Sequence, residues 1–188
     1  LYGKCLHSYT IKEAIHDEAV LGFMVENLGP KNKDVDESAY LSEKHMRNVL
    51  DVILNQSATK LGMQNGKGRT YEGILTVKSI SIAQKYYELL KKIKNGQDEL
   101  KISEDIQKAL PDFPKFAITY SISENEEAST VNQDKMKESL EDYNEMFGTN
   151  YKLEAINAYN SNLNDRLARK EKKYLERSQQ LDLVIVVD

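Results

Sequence analysis

The sequence has few of the residues that build disulfides or thiolate metal sites. Only one of its 188 residues is cysteine, Cys5, and tryptophan is absent. A single cysteine excludes an internal disulfide framework and any site with several thiolate ligands. The three histidines, His7, His16 and His45, lack the i, i+4 spacing of a helical metal site. We therefore predict no metal site in this chain.

The chain also lacks a long apolar run and a secretory leader pattern. No stretch stays apolar for the roughly 20 residues that a membrane-spanning helix needs, and no basic start precedes an apolar stretch with a small-residue cleavage site. These features predict a cytoplasmic protein without a membrane partner. The chain begins with Leu1 rather than Met and stops directly after the apolar run Leu183–Val187, so we expect it to be part of a longer polypeptide.

Neither sign of charge dominates the sequence. The 26 basic and 30 acidic residues give a formal net charge of −4, which excludes a globally basic nucleic-acid-binding protein but not a local basic strip. Residues 165–177 hold six basic and three acidic residues. This stretch could bind phosphate, but such stretches are more often the solvated face of a helix. We favour the solvated helix, with Leu163, Leu167 and Tyr174 along one side.

Apolar, β-branched segments alternate with helical patterns along the chain. Short runs bounded by turn residues predict strands at Val20–Val25, Gly73–Val77, Phe116–Ile122 and Leu183–Val187. The last run is apolar throughout, as in a strand that is covered on both faces. Strands that alternate with helices build mostly parallel sheets. The predicted fold class is therefore α/β, an open and mostly parallel sheet flanked by helices, with an N-terminal helix–strand lead-in.

Capping residues and glycines predict where the helices begin and end. Thr10 and Glu13 form a capping box before a short helix that runs to about Asp17. The other helices combine apolar residues at helical spacing with a polar start or a glycine or proline stop. They are Ser42–Leu61 before Gly62, a helix from Ser79 or Ser81 to Asn95 with Ser81 and Gln84 as a second capping box, Ser103–Leu110, and Met136–Phe147 before Gly148.

A glycine- and lysine-rich loop, residues 62–68, follows the helix that begins at Ser42. A phosphate-binding loop of the form G-x-x-x-x-G-K-[ST] needs glycine where this chain has Leu61 and a hydroxyl residue where it has Gly68. Such a loop also follows a strand and not a helix. We therefore interpret residues 62–68 as a basic loop without a nucleotide site.

Ser79 is the best candidate for contact with phosphate. It follows a predicted buried strand and opens a helix, where free backbone N–H groups attract anions. Lys78 and Arg69 could approach the same edge. The alternative is that Ser79 is an ordinary N-cap and that Lys78 meets only solvent. Asp188 ends another strand at the edge where open α/β sheets place ligand-binding residues. The alternative interpretation is that Asp188 is only a solvated strand end.

Several segments carry a family pattern when they are taken together. They are Leu1–Asp17 with Val20–Val25, Glu43–Met46, Gly73–Ile80 with Ala83 and Tyr86–Tyr87, Asp142–Tyr151, Tyr159–Tyr174, and Leu181–Asp188. In this order they resemble the motor (R) subunit of type I restriction endonucleases. Within that family Gly73–Ile80 is similar to helicase motif IV, and Leu181–Asp188 is similar to the opening of motif V.

The resemblance implies a superfamily 2 translocase, in which two RecA-like domains hold ATP and Mg²⁺ between them and move along duplex DNA. It implies that residues 1–38 are an inter-domain lead-in segment. Residues 39–188 are then most of the second RecA-like motor domain, truncated at the start of motif V. On this interpretation Ser79, Lys78 and Arg69 contact the DNA backbone, and Asp188 lies at the inter-domain or nucleotide-cleft edge.

The resemblance also implies which parts of the family this chain lacks. The phosphate loop, the Mg²⁺-binding acidic motif and the nuclease carboxylates lie upstream in the family, and the arginine-bearing motif VI lies downstream. We therefore expect no catalytic residue and no cofactor in this chain, and no ATP hydrolysis by it in isolation.

The full-length protein implied by the resemblance is an ATP-dependent deoxyribonuclease. Its partners are DNA, the modification and specificity subunits, and the remainder of its own chain. The alternative, from a different class, is a non-enzymatic α/β interaction or small-ligand-binding module.

Overall fold

A computed structural model describes residues 8–17, 19, 37–56, 72–121 and 129–188. The chain divides into two units, Leu1–Asp36 and Glu37–Asp188. In the first unit, helix α1 (Ile11–His16) begins with the predicted capping box. The Glu13 backbone N–H donates to Thr10 Oγ1 at 3.4 Å, and the Thr10 backbone N–H donates to Glu13 Oε2 at 2.6 Å. The short helix is confirmed, whereas the predicted strand Val20–Val25 lies outside the described residues.

The second unit opens with helices α2 (Glu37–Tyr40) and α3 (Glu43–Leu54). Ser42 caps α3 as predicted, because its Oγ accepts a hydrogen bond from the His45 backbone N–H at 3.2 Å. The predicted continuation of this helix to Leu61 is wrong, since α3 ends at Leu54. Asn55 bonds instead to residues far along the chain: its Nδ2 donates to the Lys101 carbonyl, and its Oδ1 accepts from the Ser103 backbone N–H, each at 2.9 Å.

Strands and helices then alternate along the chain. The order is β1 (Gly73–Val77), α4 (Ile80–Lys94), α5 (Glu104–Ala109), β2 (Phe116–Thr119), α6 (Ser129–Phe147), α7 (Ile156–Leu167) and β3 (Leu183–Val187), with 3₁₀ turns at Leu153–Ala155, Lys172–Leu175 and Arg177–Gln179. β1 and β3 have the predicted bounds, whereas β2 ends at Thr119 rather than Ile122. Gly96 and Gly148 follow α4 and α6 with φ of +69° and +65°, the left-handed conformation that favours glycine after a helix.

The three described strands form one parallel sheet in the order β1-β3-β2. Ile185 of the central strand pairs with Leu75 on one side and Ile118 on the other. Asp182 continues this pairing, because its backbone N–H donates to the Lys115 carbonyl and its carbonyl accepts from the Gly73 N–H, each at 2.8 Å. The predicted α/β class with an open parallel sheet is confirmed.

The core lies between the sheet and the helices that follow its strands. The Tyr87 ring of α4 meets the Phe116 ring of β2 at 5.1 Å, and the Tyr143 ring of α6 meets the Tyr159 ring of α7 at 4.9 Å. Tyr159 donates its hydroxyl to the Ile118 carbonyl at 2.8 Å. Burial raises the pKa of this phenol, so Tyr159 remains a neutral donor that satisfies a carbonyl of an outer strand of the sheet.

The basic stretch 165–177 does not form the solvated helix predicted for it. α7 ends at Leu167, Arg169 takes a positive φ of 47°, and Tyr174 is buried in a 3₁₀ turn. Arg166 is buried against aromatic rings, Arg169 forms an ion pair with Glu72, and Arg177 forms ion pairs with Asp112 and Asp182. These arginines bind partners from other elements, which a local charge pattern does not reveal. Within the described residues, no helix combines the length and apolar composition that a membrane span requires.

Candidate nucleic-acid interface

The carboxyl ends of β1 and β3 lie side by side at one edge of the sheet. Val77 and Val187 are paired in register, and the Asp188 backbone N–H donates to the Val77 carbonyl at 3.0 Å. Lys78 and Asp188, the next residue of each strand, are both exposed. The structure therefore places Lys78, Ser79 and Asp188 at the same edge, hereafter the carboxyl edge. Arg69 lies outside the described residues.

Ser79 is the N-cap of α4. Its backbone is extended, its Oγ accepts from the Ile82 N–H at 3.4 Å, and the same oxygen lies 3.3 Å from Ser81 Oγ. The capping geometry predicted for Ser79 is thus present. The capping box predicted for Ser81 and Gln84 is wrong, because Gln84 is buried and its amide points to other elements.

A buried polar network joins two helix starts to the carboxyl edge. Gln84 Nε2 donates to Tyr120 Oη and to Asn132 Oδ1, each at 3.0 Å, and Tyr120 donates its hydroxyl to the Asn132 carbonyl at 2.9 Å. Tyr120 directly follows β2, and Asn132 lies in the first turn of α6. Burial raises the pKa of Tyr120, so the hydroxyl keeps its proton at neutral pH. The network holds the starts of α4 and α6 against the end of β2.

Sequence analysis missed this network. The position of Gln84 on the apolar face of α4, next to Ala83 and one turn from Tyr87, indicated a buried side chain. Its partners, Tyr120 and Asn132, lie 36 and 48 positions away, and no local pattern identifies them.

Helix α7 is tied to the same edge through β2. Thr119 Oγ1 donates to Asn160 Oδ1, in the second turn of α7, at 2.7 Å. Three helices therefore start close to the carboxyl ends of the strands. Helix N-termini carry partial positive charge and N–H groups without intrahelical partners, which favour an anion close to them.

The groups that suit an anion lie on the Lys78 side of the edge. There the exposed Lys78 ammonium, the Ser79 hydroxyl and the first N–H groups of α4 lie within two residues of one another. The Asp188 carboxylate lies on the neighbouring strand end and disfavours an anion directly beside it. Among the described residues, no group of three His, Cys, Asp or Glu side chains could hold a metal ion.

Comparison with known proteins identifies the family whose members this chain resembles. Residues 69–188 match the family model of type I restriction enzyme subunit R domain 3. Over its whole length the chain is 28% identical to a type I restriction enzyme endonuclease subunit of Staphylococcus aureus strain MRSA252, and the same holds for strain COL. It is 31% identical over 163 residues, 79% of this chain and 16% of the relative, to such a subunit of Staphylococcus saprophyticus.

The matched region is a small part of each relative. The chain covers 20% of the Staphylococcus aureus subunits, so it spans about a fifth of the length of those curated relatives. The family match covers β1 to β3, the Lys78–Ser79 turn and Asp188. This chain belongs to the family of type I restriction enzyme R subunits, and its residues 69–188 match their domain 3.

Proposed function

We propose that this chain is the part of a type I restriction motor subunit that holds the DNA backbone during ATP-driven translocation. The observation that carries the proposal is the carboxyl edge, where Lys78 and Ser79 open α4 beside the end of the central strand. The family match supports a system that acts on DNA. No observation favours the alternative of a non-enzymatic interaction or small-ligand module.

The proposed grip is independent of DNA sequence. Contacts from lysine, hydroxyl groups and helix N-termini to phosphate fix the position of a protein on the duplex but read no bases. A translocase needs such contacts, because it must hold whatever sequence it passes over. Ser79 can serve as cap and contact together when Ser81 is the donor of the Ser79–Ser81 hydroxyl pair. Ser79 Oγ then accepts from Ile82 and from Ser81, and its own proton can be donated to a phosphate oxygen.

ATP and Mg²⁺ are proposed for the full-length subunit only. Residues 61–68 depart from a phosphate loop at Leu61 and Gly68, so we assign the nucleotide and its metal to other parts of the full-length subunit. We therefore derive no catalytic step through these groups. The modification and specificity subunits, and the rest of the motor chain, are the proposed partners in cleavage.

The double variant Lys78→Ala with Ser79→Ala tests the grip. We expect it to weaken binding of the 188-residue chain to duplex DNA about equally for all duplex sequences. The plot of log affinity against log salt concentration should flatten by roughly one unit, because one phosphate contact by a cation is lost. Fluorescence anisotropy with several labelled 20-base-pair duplexes, over a series of salt concentrations, measures both quantities.

A matched control removes the same residue types elsewhere. Lys108→Ala with Ser178→Ala changes two exposed residues on the segments that lead into the amino ends of β2 and β3 and should leave affinity and salt slope unchanged. If Ser79 only caps α4 and Lys78 only meets solvent, the test variant loses about 1 kcal/mol of stability. It then keeps its DNA affinity and salt slope, and that result would overturn the proposed grip.

A further inference from the structure

The solvent-facing side of α4 carries two lysines on one line. Lys85 and Lys92 are exposed, whereas Ala83, Tyr86 and Leu90 on the opposite side are buried. Residues seven apart lie two turns apart on nearly the same face, so the two lysines are separated by about 10.5 Å along the axis. Because Ser79 at the carboxyl edge is the N-cap of α4, this line leads away from that edge.

Most carboxylates near this line already accept hydrogen bonds from other side chains. Glu88 accepts from Lys135 of α6. Asp142 of α6 accepts from Lys91 at 2.6 Å and from the Tyr87 hydroxyl at 2.9 Å.

Two further carboxylates lie close to Lys92. Asp98 accepts hydrogen bonds from Arg47, which lower the pKa of that carboxyl, and the nearby positive charge of Lys92 lowers it further. Glu138 lies on α6, on the rim of the groove that also contains Lys92. None of the ion pairs between described residues involves Lys78, Lys85 or Lys92.

We propose that Lys85 and Lys92, the α4 lysine strip, extend the DNA-backbone contact from the carboxyl edge along the exposed face of α4. The inference rests on the proposed function, since it takes the same duplex to be the occupant. Three ammonium groups outside the ion pairs of the described residues, at Lys78, Lys85 and Lys92, form a discontinuous positive track on a chain whose net charge is −4. Local positive charge of this kind is the electrostatic footprint of a nucleic-acid surface.

The spacing of the strip fits a phosphate backbone. Each DNA strand carries one charge per 3.4 Å of duplex axis, so a separation of about 10.5 Å parallel to that axis corresponds to about three phosphate steps. Lysine suits such contacts, because its ammonium is a point charge on a flexible stem that adjusts to the moving backbone. An acidic protein segment is the competing occupant, and it predicts no dependence of DNA binding on these lysines.

The test is the double variant Lys85→Ala with Lys92→Ala in the 188-residue chain. Alanine has the highest helix propensity, so α4 should remain folded, and circular dichroism verifies this. We expect the salt slope of binding to a labelled 20-base-pair duplex to fall by about 1.8 units, since each lost phosphate contact contributes about 0.9. The control Lys44→Ala with Lys152→Ala removes two exposed lysines on other surfaces and should keep the parent slope.

The outcomes separate the strip from the carboxyl edge. If the slope falls for the Lys85–Lys92 variant and not for the control, the strip is supported. If the slope is unchanged for this variant but falls for the Lys78–Ser79 variant, the strip is overturned and the proposed function stands. If neither variant differs from the parent chain, or the chain binds no duplex at 50 mM salt, both proposals are overturned.

Discussion

Replacing Asp182 with alanine is expected to lower the free energy of unfolding by about 3–5 kcal/mol, the cost of breaking a buried ion pair from one side. Asp182 has an exposed fraction of 0%. Its carboxylate accepts from Arg177 Nη2 at 2.8 Å and from the Lys115 backbone N–H at 2.7 Å. Without it, the Arg177 guanidinium and a backbone donor would stay buried with fewer partners.

Asp182 is central because it joins the amino ends of β2 and β3 to the segment before β3. Arg177 Nε also donates to Asp112 Oδ1 at 2.9 Å, and Lys115 Nζ donates to the carbonyls of Arg177 and Ser178. Burial acts to lower the pKa of Arg177, but the hydrogen bonds and charges of Asp182 and Asp112 outweigh it and raise the pKa. The guanidinium is therefore charged in the folded chain and needs its carboxylate.

Urea denaturation followed by circular dichroism measures the decrease in the free energy of unfolding. Asp134→Ala is the control, because Asp134 forms an exposed i, i+3 ion pair with Lys137 that contributes no more than about 1 kcal/mol. If Asp182→Ala fails to fold, Asp182→Asn keeps one acceptor oxygen and should fold with an intermediate loss. A loss for Asp182→Ala as small as that of the control would contradict the assigned role.

Arg166→Ala should cost about 3 kcal/mol, because it removes both charged hydrogen bonds and cation–π contacts from a buried site. The guanidinium carbon of Arg166 lies 3.8 Å from the centre of the Phe147 ring and 5.0 Å from that of Tyr174. Its Nη1 donates to the Gln179 carbonyl at 2.7 Å, and its Nε donates to Asn162 Oδ1 at 3.0 Å. One side chain thus links α7, the end of α6 and both 3₁₀ turns before β3.

The variant Arg166→Lys distinguishes the contribution of the positive charge to stability from that of the planar guanidinium group. Lysine keeps the positive charge but cannot stack as a plane or donate in a fixed fork, so it should recover less than half of the lost stability. Lys170→Ala, on the exposed side of the same stretch, should change the unfolding free energy by less than about 0.5 kcal/mol. Full recovery of stability by Arg166→Lys would show that charge alone matters.

The strands and caps could be predicted from sequence because their causes are local. β1 and β3 are short apolar runs with polar residues on both sides, and their observed bounds match the predicted ones. Thr10, Ser42 and Ser79 cap helices through the N–H group three residues ahead. The edge position of Asp188 follows from the same local pattern, once the strands are known to be parallel.

The remaining features depend on partners that are distant in sequence. Asn55 ends α3 early through contacts with Lys101 and Ser103. Gln84 was predicted to take part in a capping box, but its amide donates to Tyr120 and Asn132 in a buried network. Arg169 bonds to Glu72, 97 positions away. Because helix periodicity and charge counts report only on neighbouring residues, they predicted a solvated helix where the structure buries Arg166.

The most direct test of the central claim, that the carboxyl edge holds the DNA backbone, is an NMR titration of the ¹⁵N-labelled 188-residue chain with a 20-base-pair duplex at low salt. The account predicts that the largest amide shift changes occur at Lys78, Ser79 and the first turn of α4, and that they diminish as salt is added. The amide chemical shifts of Lys115 and Asp182, at the opposite edge of the sheet, should remain unchanged. Shift changes centred on that opposite edge, or none at Lys78 and Ser79, would contradict the claim.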